Sequence, residues 1–233
     1  MARLTRLSVA DCPHHVLLRG HNRQPVFQDD EDRARFLSLL QAHAQAQRVA
    51  VNGYVLLDSR IHLVLTPAQA TGLALLMQAL GRSYVRYHND RHARSGTLWE
   101  GRYRSAPMEA GPYQLPCLAW LDGMPVREGL CARAADWPWG SHRHYVGLVV
   151  DRVVTPPPGY WGLGNTPFAR EAAYAEMVHA GLGAELMHAF ERLAQSGWPL
   201  GGPAFLSELE KIGGRRAAPR PAGRPRKHFV SSD

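Results

Sequence analysis

Three cysteines in 233 residues, Cys12, Cys117 and Cys131, are an odd number with no CxxC spacing. That excludes a disulfide scaffold and a zinc ribbon, and it fits a reduced compartment. No apolar run approaches the ~20 residues that a membrane helix needs. The opening MARLTRLSVADCPHH has charge but no apolar stretch of the kind a secretory leader requires, so a cytoplasmic, membrane-free protein is expected. Lysine is nearly missing: Lys211 and Lys227 stand against 25 arginines. Arginine suits bidentate phosphate contacts, although so skewed a ratio also follows from genomic base composition.

What is present is an ordinary globular composition, 45% hydrophobic and 20% charged, with a formal charge of +7. The charge is unevenly placed. Residues 211–233 hold seven bases and one acid, whereas the first 210 hold 20 bases and 19 acids. A basic tail on a near-neutral body suits a polyanion, most simply nucleic acid.

The pattern along the chain predicts a strand at His14–Arg19, ended by Gly20 and a polar loop. A helix at about 30–47 follows, with acidic residues at its start and Phe36, Leu37, Leu40 and Ala44 at helical spacing. Strands at Val49–Leu57 and Arg60–Thr66 come next, the last stopped by Pro67. Leu73, Leu76, Met77, Leu80, Tyr84 and Tyr87 share one face of a helix at about 72–92. A fourth strand is expected at Gly101–Met108, and a helix from about Pro112 to Leu121. Strand, helix, strand, strand, helix, strand is the order of a ferredoxin-like α+β sandwich, with helices on one face and the other face free for a ligand. Residues 168–195 read as helical. Lack of apolar periodicity from about 212 predicts a disordered tail. The expected organisation is a domain at 1–150, a helical extension at 151–211 and a basic tail at 212–233.

The most informative stretch is YVLLDSRIHLVLTP at 54–67. Arg60 and His62 are two apart on a strand and share a face. This stretch resembles the second and third strands of the single-tyrosine HUH transposases, in their REP-associated tyrosine transposase branch, where the pattern is Y-V-L-M-P-N-H-x-H. HVLLRGHNRQPVF at 15–27, SGTLWEGRYRS at 95–105, MPVREGL at 124–130, WPWGS at 137–141 and the GGPAF…GRPRK ending are similar to further signatures of that branch, in order, over nearly the whole chain. The resemblance implies a pair of histidines holding a divalent metal on the scissile phosphate. It further implies a tyrosine that forms a 5′-phosphotyrosine and an amide side chain that completes the metal site.

The sequence departs from that pattern where the chemistry sits. Arg60 stands at the first histidine and has no lone pair for a metal. His62 remains as a lone remnant ligand. Aligning LAWLDGMPV at 118–126 with the family's R-Y-I-E-L-N-P-V places Trp120 at the nucleophile and Met124 at the amide. Indole cannot form the phosphoester, and a thioether is a poor ligand for a hard cation. The expectation is a DNA-binding relative with no intact catalytic residue and no cofactor. The alternative is an active transposase using Mg²⁺ or Mn²⁺ through displaced residues, with Asp58, on the face of His62, or Tyr113 as candidates. A third possibility is a remnant that binds nothing specific. His142 and His144 read as surface.

The DNA-binding residues expected are Arg19, Asn22 and Arg23 of the first loop, Arg60, the pairs Arg82 and Arg86 and Arg102 and Arg104, and Arg224 and Arg226 in the tail. The loop corresponds by resemblance to the segment that reads a guide sequence beside a DNA hairpin; as a plain turn, it would need Gly20 at positive φ. Residues 82–104 hold six arginines against Asp90 and Glu100, an excess that suits a phosphate track. Tyr84, Tyr87, Trp99 and Tyr103 interleave with it and offer stacking faces for unpaired bases. The partner expected is single-stranded or hairpin DNA.

Overall fold

The structure, a computed structural model, describes residues 6–219. Four strands, β1 (His14–Arg19), β2 (Val49–Leu57), β3 (Arg60–Pro67) and β4 (Arg104–Pro107), form one antiparallel sheet in the order β2-β3-β1-β4. Helices α1 (Asp30–Ala46) and α2 (Gly72–Arg91) pack on one face, which gives the expected ferredoxin-like α+β order.

Local chemistry explains the helix ends. Asp29 caps α1 by accepting from the Asp32 amide at 3.1 Å, and the Asp32 carboxylate accepts from the Gln28 amide at 2.7 Å. The pair satisfies one orphan donor of the first turn and the amide just before the cap. Phe36, Leu40 and Ala44 turn into the core from α1; Leu73, Leu76, Met77, Leu80, Tyr84 and His88 do so from α2. The expected face ended in Tyr87. His88 takes that place because it lies one turn beyond Tyr84 on the same stripe, leaving Tyr87 half-buried. Tyr84 is fully buried and donates to the Val26 carbonyl at 2.7 Å, so it has no face to offer a base.

The fourth strand is shorter than expected because the register breaks before Arg104: the Arg19 carbonyl accepts from the Glu100 amide instead of from Arg102, and Arg6 donates twice to the outward-facing Tyr103 carbonyl. The sheet's second face is not free. Helix α3 (Ala110–Asp122) lies across β2 and β3, followed by the single turn α4 (Met124–Arg127). Gly53 permits this approach: a Cβ there would stand 2.4 Å from a Leu118 methyl. Two short turns, α5 (His142–Tyr145) and α6 (Pro158–Trp161), lead to α7 (Pro167–Ala180), α8 (Ala184–Ser196) and α9 (Pro203–Gly213). The helical stretch expected at 168–195 is two helices, divided at Gly181, whose φ of 71° suits glycine. Helix α8 covers β1 and β4 beside α3.

Val154, Tyr160, Tyr174, Phe190 and Leu193 of the extension share one core with the sheet. Buried Asp122 at the end of α3 accepts from Ser141 at 3.1 Å and from Tyr174 at 2.7 Å, joining α3 to α7. His142 and His144 are not surface residues. His142 is 6% exposed and lies 3.5 Å from Asp122, and the His144 ring accepts from the Asp151 amide at 3.2 Å. Beyond α9, Ala217 is buried with Leu7 and Leu209 in a second small cluster. The remainder of the expected tail, with Arg224 and Arg226, lies outside the described residues. Among the described residues no helix is long and apolar enough to cross a membrane.

Candidate nucleic-acid interface

Strand pairing decides which side chains meet. Arg19 on β1 is opposite Arg60 on β3, and Leu17 is opposite both His62 on β3 and Arg104 on β4. All five therefore lie on the face that α3 and α8 cover. Between sheet and helices runs a groove of about 270 Å³, lined by Leu17, Arg19, Arg60 and His62 from the sheet. Trp120, Met124, Arg127 and Glu128 line it from α3 and α4, and Met187 and Glu191 from α8. The sequence-derived positions Arg60, His62, Trp120 and Met124 thus converge on one site. Neither Asp58 nor Tyr113 lines it. Asp58 stands in the β2–β3 turn, not on the strand face of His62, and pairs with Arg33 at 2.5 Å.

The groove floor is dry and neutral. His62 is 4% exposed, and its Nδ1 lies 2.9 Å from Nε2 of buried His15. Burial pushes His15 down to about 3. Burial, then the neighbouring His15 and Arg60, hold His62 well below the usual imidazole range. Both rings are therefore uncharged at neutral pH, and one donates to the other. Trp120 packs against both, 5.7 Å from His15 and 5.5 Å from His62 between ring centroids, and it meets Phe190 of α8 at 5.7 Å.

Arginines crowd the groove mouth. Burial, then repulsion from Arg104, keeps Arg19 below the ordinary guanidinium value, with Arg60 and Arg23 adding to the effect and Glu100 opposing it. Like charges held this close favour an anion between them. One answer to that demand is internal: Arg60 forms an ion pair with Glu128 at the end of α4. Arg127 donates to the Trp120 carbonyl and so ties α4 back to α3. His15, Glu128 and Glu191 were not singled out from sequence. A period-two reading places His15 on the face of Arg19, but only the β1–β3 register brings it to His62.

The groove's donor set does not fit a hard divalent cation. Arg60 offers no lone pair, Met124 offers sulfur, and the carboxylate of Glu128 is engaged by Arg60. The Nε2 of His62 is buried without a hydrogen-bond partner.

The remaining expected residues distribute around this groove. Loop residues His21, Asn22 and Arg23 are exposed. Gly20 is extended, at φ −65°; Asn22 and Arg23 take the positive φ angles instead, at 50° and 59°. Glycine is required at 20 for another reason, since a Cβ would lie 2.1 Å from the Gln24 carbonyl oxygen. Arg102 and Arg104 line a smaller cavity of about 100 Å³ with Arg19 and Glu100. On the opposite side of the sheet, Arg82, Arg86 and Arg102 line a groove of about 880 Å³ along α2 with Leu75, Val85, Trp99 and Tyr103.

Residues 8–114 match the family model described as IS200-like transposase. Over that segment, a little under half of the chain, the protein is similar to the IS200-like transposase family. The match spans the whole sheet with α1 and α2 and ends within α3, before Trp120. Among solved structures, a REP-associated tyrosine transposase bound to a REP hairpin is similar in fold, with 12% identity and a TM-score of 0.52 over 67% of this chain and 92% of that one. A structure described as a transposase of Deinococcus radiodurans R1 is 20% identical over 45% of this chain and 84% of that one, with a TM-score of 0.35. No curated protein matches the chain.

Proposed function

We propose that this IS200-like transposase relative is a cytoplasmic DNA-binding protein that recognises single-stranded or hairpin DNA and has lost its strand-cleavage centre. The observation that carries the reading is the groove itself. The four positions at which the family resemblance expects metal ligands and nucleophile converge there as Arg60, His62, Trp120 and Met124. Cleavage through a phosphotyrosine needs a hydroxyl in line with phosphorus and a cation to neutralise the developing charge. Trp120 supplies no hydroxyl and fills the space against His15 and His62. What the groove retains is positive charge from Arg19, Arg60 and Arg127 at its wall, suited to a backbone phosphate. The exposed loop residues His21, Asn22 and Arg23 supply groups for reading bases beside it, and the REP hairpin held by the similar structure supports DNA of that shape.

The test is direct. The full chain is incubated with Mg²⁺ or Mn²⁺ and a panel of hairpin oligonucleotides, and products are separated on a denaturing gel. Bound DNA with no covalent adduct is the expected result. An adduct mapping to any tyrosine would establish the active-transposase reading, and no selective binding at all would leave a folded remnant.

A further inference from the structure

On the helical side of the sheet, remote from the α3 groove, the first turn of α1 meets the last turn of α2. Asp32, His88 and His92 each present one ligand atom there, all within 4.8 Å of one another, the one such cluster among the described residues. Asp32 and His88 are fully buried, and the His92 side chain is 19% exposed. His88 and His92 are one helical turn apart, with ring centroids at 4.5 Å.

The independent observation is the state of His88. Both its ring nitrogens are buried and neither has a hydrogen-bond partner. A core imidazole ordinarily satisfies at least one nitrogen, because leaving both bare forfeits their hydration. Asp32 is already oriented from behind, its Oδ2 accepting from the Gln28 amide at 2.7 Å. His92 Nε2 lies 3.0 Å from each Asp32 oxygen.

The local charge suits a cation. Asp29, Glu31 and Asp32 converge on Arg91, at 2.7, 2.8 and 2.6 Å, with Arg94 also facing His88. Three carboxylates about one guanidinium leave net negative charge beside the two imidazoles. Arg91 can release Asp32 and keep both Asp29 and Glu31.

We propose that Asp32, His88 and His92 form a zinc site. Two imidazole nitrogens and one carboxylate oxygen are a three-ligand set that zinc completes with water. The ion would tie α1 to α2 where the chain leaves for residues 92–99. That segment pairs with the DNA-facing loop: the His21 amide donates to the Leu98 carbonyl at 2.9 Å, and Gly20 bridges to Trp99. The site is therefore placed to brace the loop from behind, and it stands or falls independently of the DNA reading.

Metal-stripped full-length protein is titrated with Zn²⁺ by calorimetry and with Co²⁺ by visible absorption. The expected result is one equivalent bound, a tetrahedral Co²⁺ spectrum and a raised melting temperature. His92→Gln and His88→Gln should each lower zinc affinity on the order of tenfold or more, while His144→Gln leaves it unchanged. His92 is partly exposed, so its variant decides the matter even if His88→Gln fails to fold. Absence of saturable one-to-one binding, or wild-type affinity in His92→Gln, would overturn the proposal.

Discussion

In the groove under α3, Arg19, Arg60 and Arg127 share the lining with Glu128 and Glu191. Along α2, Arg82, Arg86 and Arg102 share theirs with Leu75, Val85 and Trp99, and no carboxylate lines that groove. The first is narrow, floored by neutral imidazoles and partly neutralised from within by the Arg60–Glu128 pair. The second is larger, at about 880 Å³, and is lined by apolar side chains and arginines. A groove that satisfies its own arginine is suited to stay closed, whereas arginines beside Trp99 and Tyr103 offer phosphate and base contacts together.

The sharpest way to break the comparison is acid, because the buried His15–His62 pair floors the α3 groove whereas no imidazole lines the α2 groove. His15 has a folded pKa of about 3 against an ordinary 6.5. Between these values the unfolded chain binds a proton that the folded chain does not. Stability is therefore complete above about pH 6.5 and falls toward about pH 3 by ~1.4 kcal/mol per pH unit for this group. His62, depressed in the same direction, steepens the loss. Urea midpoints between about pH 7 and pH 4.5 should show the decline. In His15→Gln the slope should be shallower; an unchanged slope would mean that His15 takes up its proton equally in the folded and unfolded states.

Truncation after residue 219 comes next. It removes Arg220, Arg224, Arg226 and Lys227 while leaving α9 and the Ala217 contact intact. If all four cations meet phosphate, the salt slope of DNA binding should shrink by about 0.7–0.9 per contact, with selectivity retained. An unchanged slope would move the electrostatics wholly onto the folded body.

Single arginines then rank the grooves. Arg82→Ala and Arg86→Ala should each cost about 1.5 kcal/mol of DNA affinity, the lower end for a charged hydrogen bond. Arg60→Ala should cost less than either, because its phosphate contact must replace an ion pair. Filter binding at low salt measures all three, and the reverse ranking would make the α3 groove the principal DNA contact.

Much of this arrangement was legible from residue pattern. Strand and helix positions followed from period-two and period-3.6 runs, and the convergence of Arg60, His62, Trp120 and Met124 followed from resemblance. Three features escaped for one physical reason. The His15–His62 pair depends on β1–β3 register, and the Arg60–Glu128 pair on where α4 docks. Covering of the second sheet face depends on where α3 docks and on α8, far along the chain. Each is a non-local contact, invisible to any window along the chain. His88 escaped differently: it sat on the apolar stripe of α2 beside Tyr84, but its expected place was given to the larger, more hydrophobic Tyr87.

The smallest effect expected is also the one with opposite sign. Glu128→Gln removes the internal anion and keeps side-chain shape. The Arg60 side chain is 32% exposed, so the pair is partly solvated and contributes little to the fold, about 0–1 kcal/mol. Freed of Glu128, Arg60 adds its charge to Arg19 and Arg104, which Glu100 only partly offsets, and repulsion among them rises. Folding stability should therefore fall slightly while affinity for DNA rises by up to about 1 kcal/mol, roughly fivefold. The gain should vanish in the double variant Arg60→Ala, Glu128→Gln, because the carboxylate acts through that one guanidinium. A gain that persists without Arg60 would assign the effect to general charge, and no gain would show that DNA never enters the α3 groove.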